Sequence, residues 1–168
     1  LPEGVTNIGD YAFYKCYNLK NVNIPDKVTN IGRYAFNYCI NLRDLRIPST
    51  VNSVGNPIAY WATIKNTVEV GTTEIELPDI IKRAITEGDI LYCGTGISIT
   101  SGKLNNNKTK LLINENASRV IIYISSGPLR GMRMIIEVSG LITYDSYGWT
   151  NDNVIATLHL AKGEKIIN

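Results

Sequence analysis

The sequence predicts a mixed, mainly β protein built from two unlike parts. Three observations lead to this: a 23-residue repeat, a later series of short alternating segments, and one amphipathic stripe. Residues 1–23 and 24–46 are identical at 12 of 23 positions. A fixed period of this length is typical of a solenoid, whose coils bury their apolar faces only against neighbouring coils. We therefore expect the end of a solenoid followed by an antiparallel β-sandwich with one short helix.

Composition narrows the classes of function. The chain has 168 residues, of which 44% are hydrophobic and 19% charged, as in a folded protein. A net charge of +2 without a run of Lys or Arg argues against a nucleic-acid partner. No apolar run approaches the roughly 18 residues of a membrane span. The chain begins inside a repeat and without Met, so we interpret it as a fragment of a longer protein.

The repeat predicts which side chains face inward. Alternation through Leu19–Ile24 and Leu42–Ile47 predicts neighbouring parallel strands, and the denser stretch Tyr11–Tyr17 favours a helical turn. Gly9 and Gly32 are expected to allow the bend between these segments. The predicted buried positions are Ile8, Phe13, Cys16 and Leu19 in the first repeat and Ile31, Phe36, Cys39 and Leu42 in the second.

Two of the three cysteines occupy the same slot of the repeat. Cys16 and Cys39 should lie about one strand spacing apart, roughly 4.8 Å. Parallel, inward-pointing side chains give poor disulfide geometry, so we expect a buried ladder of free thiols. Zinc is not expected, because no second pair of ligands lies nearby.

A third copy of the repeat begins at residue 47 and is then interrupted. Residues 47–55 keep the phase, and Asn56-Pro57-Ile58 then breaks it, so the solenoid is assigned to residues 1–58. The sandwich is assigned to 66–140, with a helix running from Pro78 to Gly88. Residues 141–168 are either the start of a further β module or the last strands of the sandwich. The predicted strands are Thr67–Val70, Ile97–Thr100, Lys110–Ile113, Val120–Ile124 and Met132–Val138.

The repeat motif resembles a known family. Ile-Gly-x-Tyr-Ala-Phe-x-x-Cys-x-x-Leu followed by Ile-Pro-x-x-Val-x-x-Ile is similar to the BspA-type leucine-rich repeat, at 8–19 with 24–31 and at 31–42 with 47–54. The resemblance implies a bacterial cell-surface or secreted protein, with relatives in protozoan parasites, that takes part in adhesion. Trp149-Thr150-Asn151 before an alternating strand is similar to Ig-like repeats of Gram-positive surface proteins. The resemblances thus imply leucine-rich repeats followed by an Ig-like sandwich.

The sequence contains no combination of residues that strongly indicates an active site or a metal site. The single histidine, His159, is expected on the solvent face of a strand. A nucleophilic triad needs a base within hydrogen-bond reach of the nucleophile, and one histidine offers almost no way to build it. Cys93 has no charged neighbour that would activate it. The acidic residues Glu69, Glu74 and Glu76 alternate with apolar ones, as on a solvated strand face, and Asp79 suits a first helical turn. A calcium site at Asp145, Asn151 and Asp152 is a less favoured alternative. We expect neither enzymatic activity nor a cofactor.

The best binding candidate is a polar column on the outward side of the repeats. The expected partner is a host or neighbouring-cell protein, with an anionic glycan as the alternative, and the expected location is extracellular. Two other roles stay open: a structural spacer, or a non-catalytic segment of a larger secreted carbohydrate-active enzyme. Tyrosines on the far side are interpreted as packing on one another. The polar column consists of Lys20, Asn21, Asn23, Arg43, Asp44 and Arg46.

Overall fold

A computed structural model describes residues 1–92 and 94–139. The described part is mainly β, with one short helix. We number the repeats 1, 2 and 3 for residues 1–23, 24–46 and 47–69. The elements are β1 (Asn7–Ile8), β2 (Asn30–Ile31), β3 (Ser53–Val54), β4 (Thr63–Val68), β5 (Glu74–Glu76), α1 (Asp79–Ile85), β6 (Ile97–Thr100), β7 (Gly102–Leu104), β8 (Lys110–Ile113), β9 (Arg119–Ile124) and β10 (Arg133–Val138).

The repeats stack in phase through a parallel sheet of β1, β2 and β3. Ile31 of repeat 2 pairs with Ile8 on one side and with Val54 on the other. The predicted sites of the parallel strands, Leu19–Ile24 and Leu42–Ile47, were wrong. Neither segment contains a strand, and repeats 1 and 2 are joined there by one main-chain bond, from the Arg43 amide to the Lys20 carbonyl, at 2.8 Å. Alternating burial shows which side chains face the core, and it does not by itself produce the ladder of bonds that defines a strand.

Two glycines let successive repeats approach closely. The Gly32 amide donates to the Ile8 carbonyl at 2.7 Å, and the Gly55 amide donates to the Ile31 carbonyl at 2.8 Å. A Cβ on Gly32 would overlap the backbone of Asp10, and a Cβ on Gly55 would overlap the backbone of Arg33. Room for the neighbouring repeat, and not a bend, therefore requires glycine at these positions.

The stretch from Tyr11 to Tyr17 forms consecutive turns, so the predicted helical turn was wrong. Tyr11 and Lys15 have φ angles of 59° and 57°, and Tyr34 and Tyr38 repeat this at 59° and 60°. A left-handed residue interrupts an α-helix because the helical ladder needs negative φ throughout. The turns instead present amides to the next repeat, as in the bond from Phe13 to Ala35 at 2.7 Å.

The apolar core runs through the stack as the sequence predicted. The rings of Phe13 and Phe36 stack with centroids 5.2 Å apart and planes 4° apart. The predicted core positions of repeat 2 are buried, whereas Phe13, Cys16 and Leu19 of repeat 1 are half-buried against the same cluster. Among the described residues, repeat 1 is covered by a neighbouring repeat on one face and repeat 2 on both faces, which explains the difference.

The stack continues past residue 58, where the sequence analysis ended it. The amides of Thr63 and Lys65 donate to the carbonyls of Cys39 and Leu42 in repeat 2, at 3.1 and 3.3 Å. Apolar burial also persists, since Ile58, Ala59 and Ala62 are fully buried. Ala59 and Ala62 occupy the slots of Phe36 and Cys39, so the motif changes while the geometry is kept.

The second part contains two sheets, ordered β4-β10-β9-β6 and β5-β8-β7. The first sheet is mixed, because β10 runs parallel to β4, so the expectation of a wholly antiparallel sandwich was wrong. Strand β4 belongs to repeat 3 and takes its direction from the stack. The helix lies where it was predicted and buries Ile80, Ile81 and Ala84. The Ig-like assignment is not confirmed, and residues 141–168 lie outside the described residues.

Substitutions on the inward and outward faces of the repeats should differ in how much stability they remove. We expect Phe36→Ala to lower the free energy of unfolding by about 3–5 kcal/mol, because it removes a buried, stacked ring. Lys20→Ala should change it by less than about 0.5 kcal/mol, since Lys20 is exposed. Chemical denaturation measures both, and equal midpoints would contradict this assignment of faces.

A second comparison uses the same slot of two repeats. Gly32→Ala should cost about 1–3 kcal/mol, because the methyl group meets the backbone of repeat 1 and the inter-repeat bonds must lengthen. Gly9→Ala should cost much less, since no atom lies within 4 Å of its added Cβ. Thermal unfolding of the two variants tests this. If they lose equal stability, close approach is not the reason for glycine.

Candidate binding surfaces

The polar column predicted from the sequence is exposed along its whole length. Lys20 and Arg43 are neighbours on successive repeats, where the Arg43 amide donates to the Lys20 carbonyl. The parallel bridge between Leu42 and Ile64 brings Lys65 of repeat 3, which is also exposed, beside Arg43. Sequence reasoning missed Lys65, since a strict period of 23 residues leads from Arg43 to Asn66. Allowing a one-residue deletion in the repeat would have found it.

Part of the polar column lines a cleft of about 750 Å³. Arg43, Asp44 and Arg46 form one wall, and the segment from Glu76 to Arg83 forms the other. The structure thus brings three predicted residues together at the start of α1. Lys20, Asn21 and Asn23 lie on repeat 1, outside this cleft.

The charged side chains form ion pairs on one wall of the cleft, whereas the cations of the other wall do not. On the helix wall, Lys82 pairs with Glu76 at 3.4 Å, and Arg83 pairs with Asp89 at 2.9 Å. Arg83 also donates to the Ile47 carbonyl, which ties the helix to the repeats. On the repeat wall, Arg43 and Arg46 form no ion pair with any residue in the described ranges. Asp44 accepts a bond from the Leu45 amide at 2.8 Å. The cleft therefore offers two available cations.

The tyrosines pack on one another, as the sequence analysis expected. Tyr11 and Tyr34 have ring centroids 5.0 Å apart, and Tyr14 makes edge contacts with Tyr11 and Tyr38 at 5.5 and 5.8 Å. The guanidinium carbon of Arg33 lies 5.3 Å from the Tyr34 ring centroid. Tyr11 remains 53% exposed, so this packed cluster is also an accessible surface.

Cys16 and Cys39 are both free thiols, as the sequence analysis expected. Cys39 is fully buried, and its Sγ donates to the Phe13 carbonyl at 3.2 Å. Burial, followed by interaction with Cys16, raises the pKa of Cys39 from 9.0 to about 12. A thiol with this pKa is a poor nucleophile at neutral pH.

Glu74 and Glu76, two of the acidic residues before α1, form ion pairs with Lys110. Lys110 contacts Glu74 at 2.8 Å and Glu76 at 3.7 Å. The hydrogen bond and charge of Glu74 are the main reasons why the pKa of Lys110 is raised. Within residues 1–92 and 94–139, no three His, Cys, Asp or Glu side chains are grouped as metal ligands would be. The sequence candidates His159, Cys93, Asp145, Asn151 and Asp152 lie outside the described residues.

Comparison with known families agrees with the repeat geometry. Residues 1–82 match the BspA type leucine rich repeat region, in six copies, and this part of the chain is therefore a BspA-type leucine-rich-repeat region. The match extends through β4 and most of α1. Neither the curated proteins nor the solved structures give a significant match to the chain. In the part that the structure describes, no helix has the length and apolarity that crossing a bilayer requires.

The pKa of Cys39 predicts a pattern of chemical labelling. Iodoacetamide at pH 8 should modify half-buried Cys16 and leave Cys39 intact, because Cys39 is fully buried and its raised pKa keeps the thiol protonated. Unfolding in guanidinium should expose both, as mapped by peptide mass spectrometry. The folded state keeps a proton that the unfolded thiol releases above pH 9, so this thiol's contribution to stability should fall as pH rises from about 9 to 12. Rapid native labelling of Cys39 would contradict its burial.

Proposed function

We propose that this chain is a non-enzymatic part of a cell-surface or secreted protein, and that it binds a partner protein through the polar column. Proteins that carry the BspA-type repeat are typically surface-associated, which supports an extracellular location and a role in protein binding or adhesion. The observation on which the proposal rests most is the pair of exposed, unpaired cations, Arg43 and Arg46, in the wall of a cleft. The β part then acts as the module that supports the end of the repeats.

The partner should present an acidic segment. Lys20, Arg43 and Lys65 lie on successive repeats of the stack, and repeating cations attract an extended run of carboxylates more than a single one. Charged groups at the rim of an interface mainly raise the association rate and select among partners. The polar column is therefore suited to steering an acidic protein toward the cleft beside α1.

Two other roles are kept as alternatives. If the chain is a structural spacer, the polar column is simply solvated, and substitutions in the column do not change the binding of any partner. A non-catalytic segment of a larger secreted enzyme would carry no chemistry of its own. The non-enzymatic role is supported by one histidine in the whole sequence and by the suppressed ionisation of Cys39.

Charge reversal tests the polar column. Surface plasmon resonance would measure the binding of wild type and of Arg43→Glu/Arg46→Glu to a panel of purified extracellular-matrix proteins and to immobilised poly-L-glutamate. The double variant should associate about 10-fold more slowly, because steering is reversed. The difference should shrink as salt is raised, since exposed charges are screened beyond about 8 Å at physiological ionic strength.

A matched control separates a local effect from net charge. Lys103→Glu/Lys108→Glu makes the same change in charge on the β part, at two exposed lysines that form no ion pair with the described residues. This control should bind nearly as wild type does. Equal loss in both variants would reduce the effect to overall charge, and unchanged binding by Arg43→Glu/Arg46→Glu would remove the polar column from the interface.

A further inference from the structure

A second concave surface lies where the repeats meet the β part. It has a volume of about 380 Å³, at the small end of the range for ligand pockets. Three aromatic rings, a proline ring, a hydroxyl and a guanidinium surround it. We call it the aromatic hollow; its lining residues are Tyr34, Pro57, Tyr60, Tyr123, Ser125 and Arg130.

The walls of the aromatic hollow are fixed by main-chain bonds between successive layers. The Tyr34 amide donates to the Pro57 carbonyl at 2.8 Å, which joins repeats 2 and 3. The amides of Ile58 and Trp61 donate to the carbonyls of Pro128 and Gly131, at 2.8 and 2.9 Å, which joins repeat 3 to the β part. A ligand would therefore meet walls that are already in place, which reduces the entropy lost on binding.

The Tyr60 ring is held in position from two sides. Gly131 has a φ of +80°, and a Cβ there would overlap the ring atoms of Tyr60, so only glycine lets the ring lie against this backbone. Trp61 makes an edge contact with the ring, with centroids 5.4 Å apart. The guanidinium carbon of Arg130 lies 6.0 Å from the ring centroid.

Four polar groups of the aromatic hollow are available, whereas the Tyr34 hydroxyl accepts a bond from Arg33 at 3.4 Å. Arg130 is exposed and forms no ion pair or side-chain hydrogen bond with the described residues, and the hydroxyls of Tyr60, Tyr123 and Ser125 make no side-chain hydrogen bond with them either. Each hydroxyl can both donate and accept, whereas the guanidinium only donates and carries one positive charge.

We propose that the aromatic hollow binds one carboxylate-bearing sugar ring of a glycan. The C–H face of a pyranose carries slight positive charge and packs on the negative face of an aromatic ring. Its hydroxyls match groups that donate and accept, and a single carboxylate matches the single guanidinium of Arg130. A protein partner fits less well, because a stable protein interface covers about 800 Å² per partner and this surface is only ring-sized. The proposal does not depend on the polar column, which lies elsewhere.

The test measures affinity for small sugars by saturation-transfer-difference NMR. The probes are the methyl glycosides of glucuronic acid and of N-acetylneuraminic acid, with neutral methyl glucoside for comparison and a hexaglutamate peptide as the protein-like anion. Wild type should bind at least one acidic sugar about 10-fold or more tightly than methyl glucoside. The relative affinities of the two acidic sugars then identify the better ligand.

Arg130→Gln should abolish the preference for the acidic sugar, while the matched Lys103→Gln variant keeps it. Tyr123→Phe should weaken both sugars, since it removes a hydroxyl and keeps the ring. An unchanged thermal midpoint shows that Arg130→Gln folds. Three results would overturn the proposal: no sugar binds at millimolar concentration, acidic and neutral sugars bind equally, or the peptide binds to the hollow in place of the sugars. Arg43→Glu/Arg46→Glu should leave sugar binding intact, so this proposal and that of the polar column can fail separately.

Discussion

The hydrogen bonds between successive repeats are the constraint on which the rest of the structure depends. The carbonyls of Ile8 and Ile31 accept bonds from the amides of Gly32 and Gly55, which brings the same slot of neighbouring repeats into register. A fixed register places like over like, so Phe36 stacks on Phe13 and Arg43 lies beside Lys20. The core and the outward surfaces are two results of this one alignment.

The β part continues this hydrogen-bonding scheme at the end of repeat 3. The Arg133 amide donates to the Ala62 carbonyl at 2.9 Å, and β10 then pairs in parallel with all of β4. An uncovered edge would offer unpaired amides and carbonyls to other strands. Strand β9 pairs antiparallel with β10, and β6 follows beside β9. The helix is tied to the start of repeat 3 by the bond from Arg83 to the Ile47 carbonyl. The join between the two parts is therefore a continuation of the stack.

The join between the repeats and the β part forms two surfaces that differ in charge and in shape. The cleft beside α1 has one wall of paired charges and one of free cations, which suits long-range attraction of an acidic partner. The aromatic hollow has three tyrosine rings, the free hydroxyls of Tyr60, Tyr123 and Ser125 and one lining guanidinium, which suits short-range recognition of one small unit. Both lie where the repeats meet the residues that follow them, although the repeats contribute most of the lining of only one.

The sequence alone determined what repeats in phase: the 23-residue stack, its inward side chains such as Phe36 and Cys39, the exposed column from Lys20 to Arg46, and the helix with its apolar stripe. A repeating apolar pattern predicts which side chains are buried, because residues at the same position of each repeat face the same way. Only the tertiary structure decided which segments pair, because Asn7–Ile8 is no more strand-like in sequence than Leu19–Ile24. It also decided that Lys65 joins the column and that Tyr60 and Arg130 share a hollow. Those contacts join segments separated by an irregular repeat or by about 70 residues, and hydrogen bonds between layers fix them where no periodic pattern does.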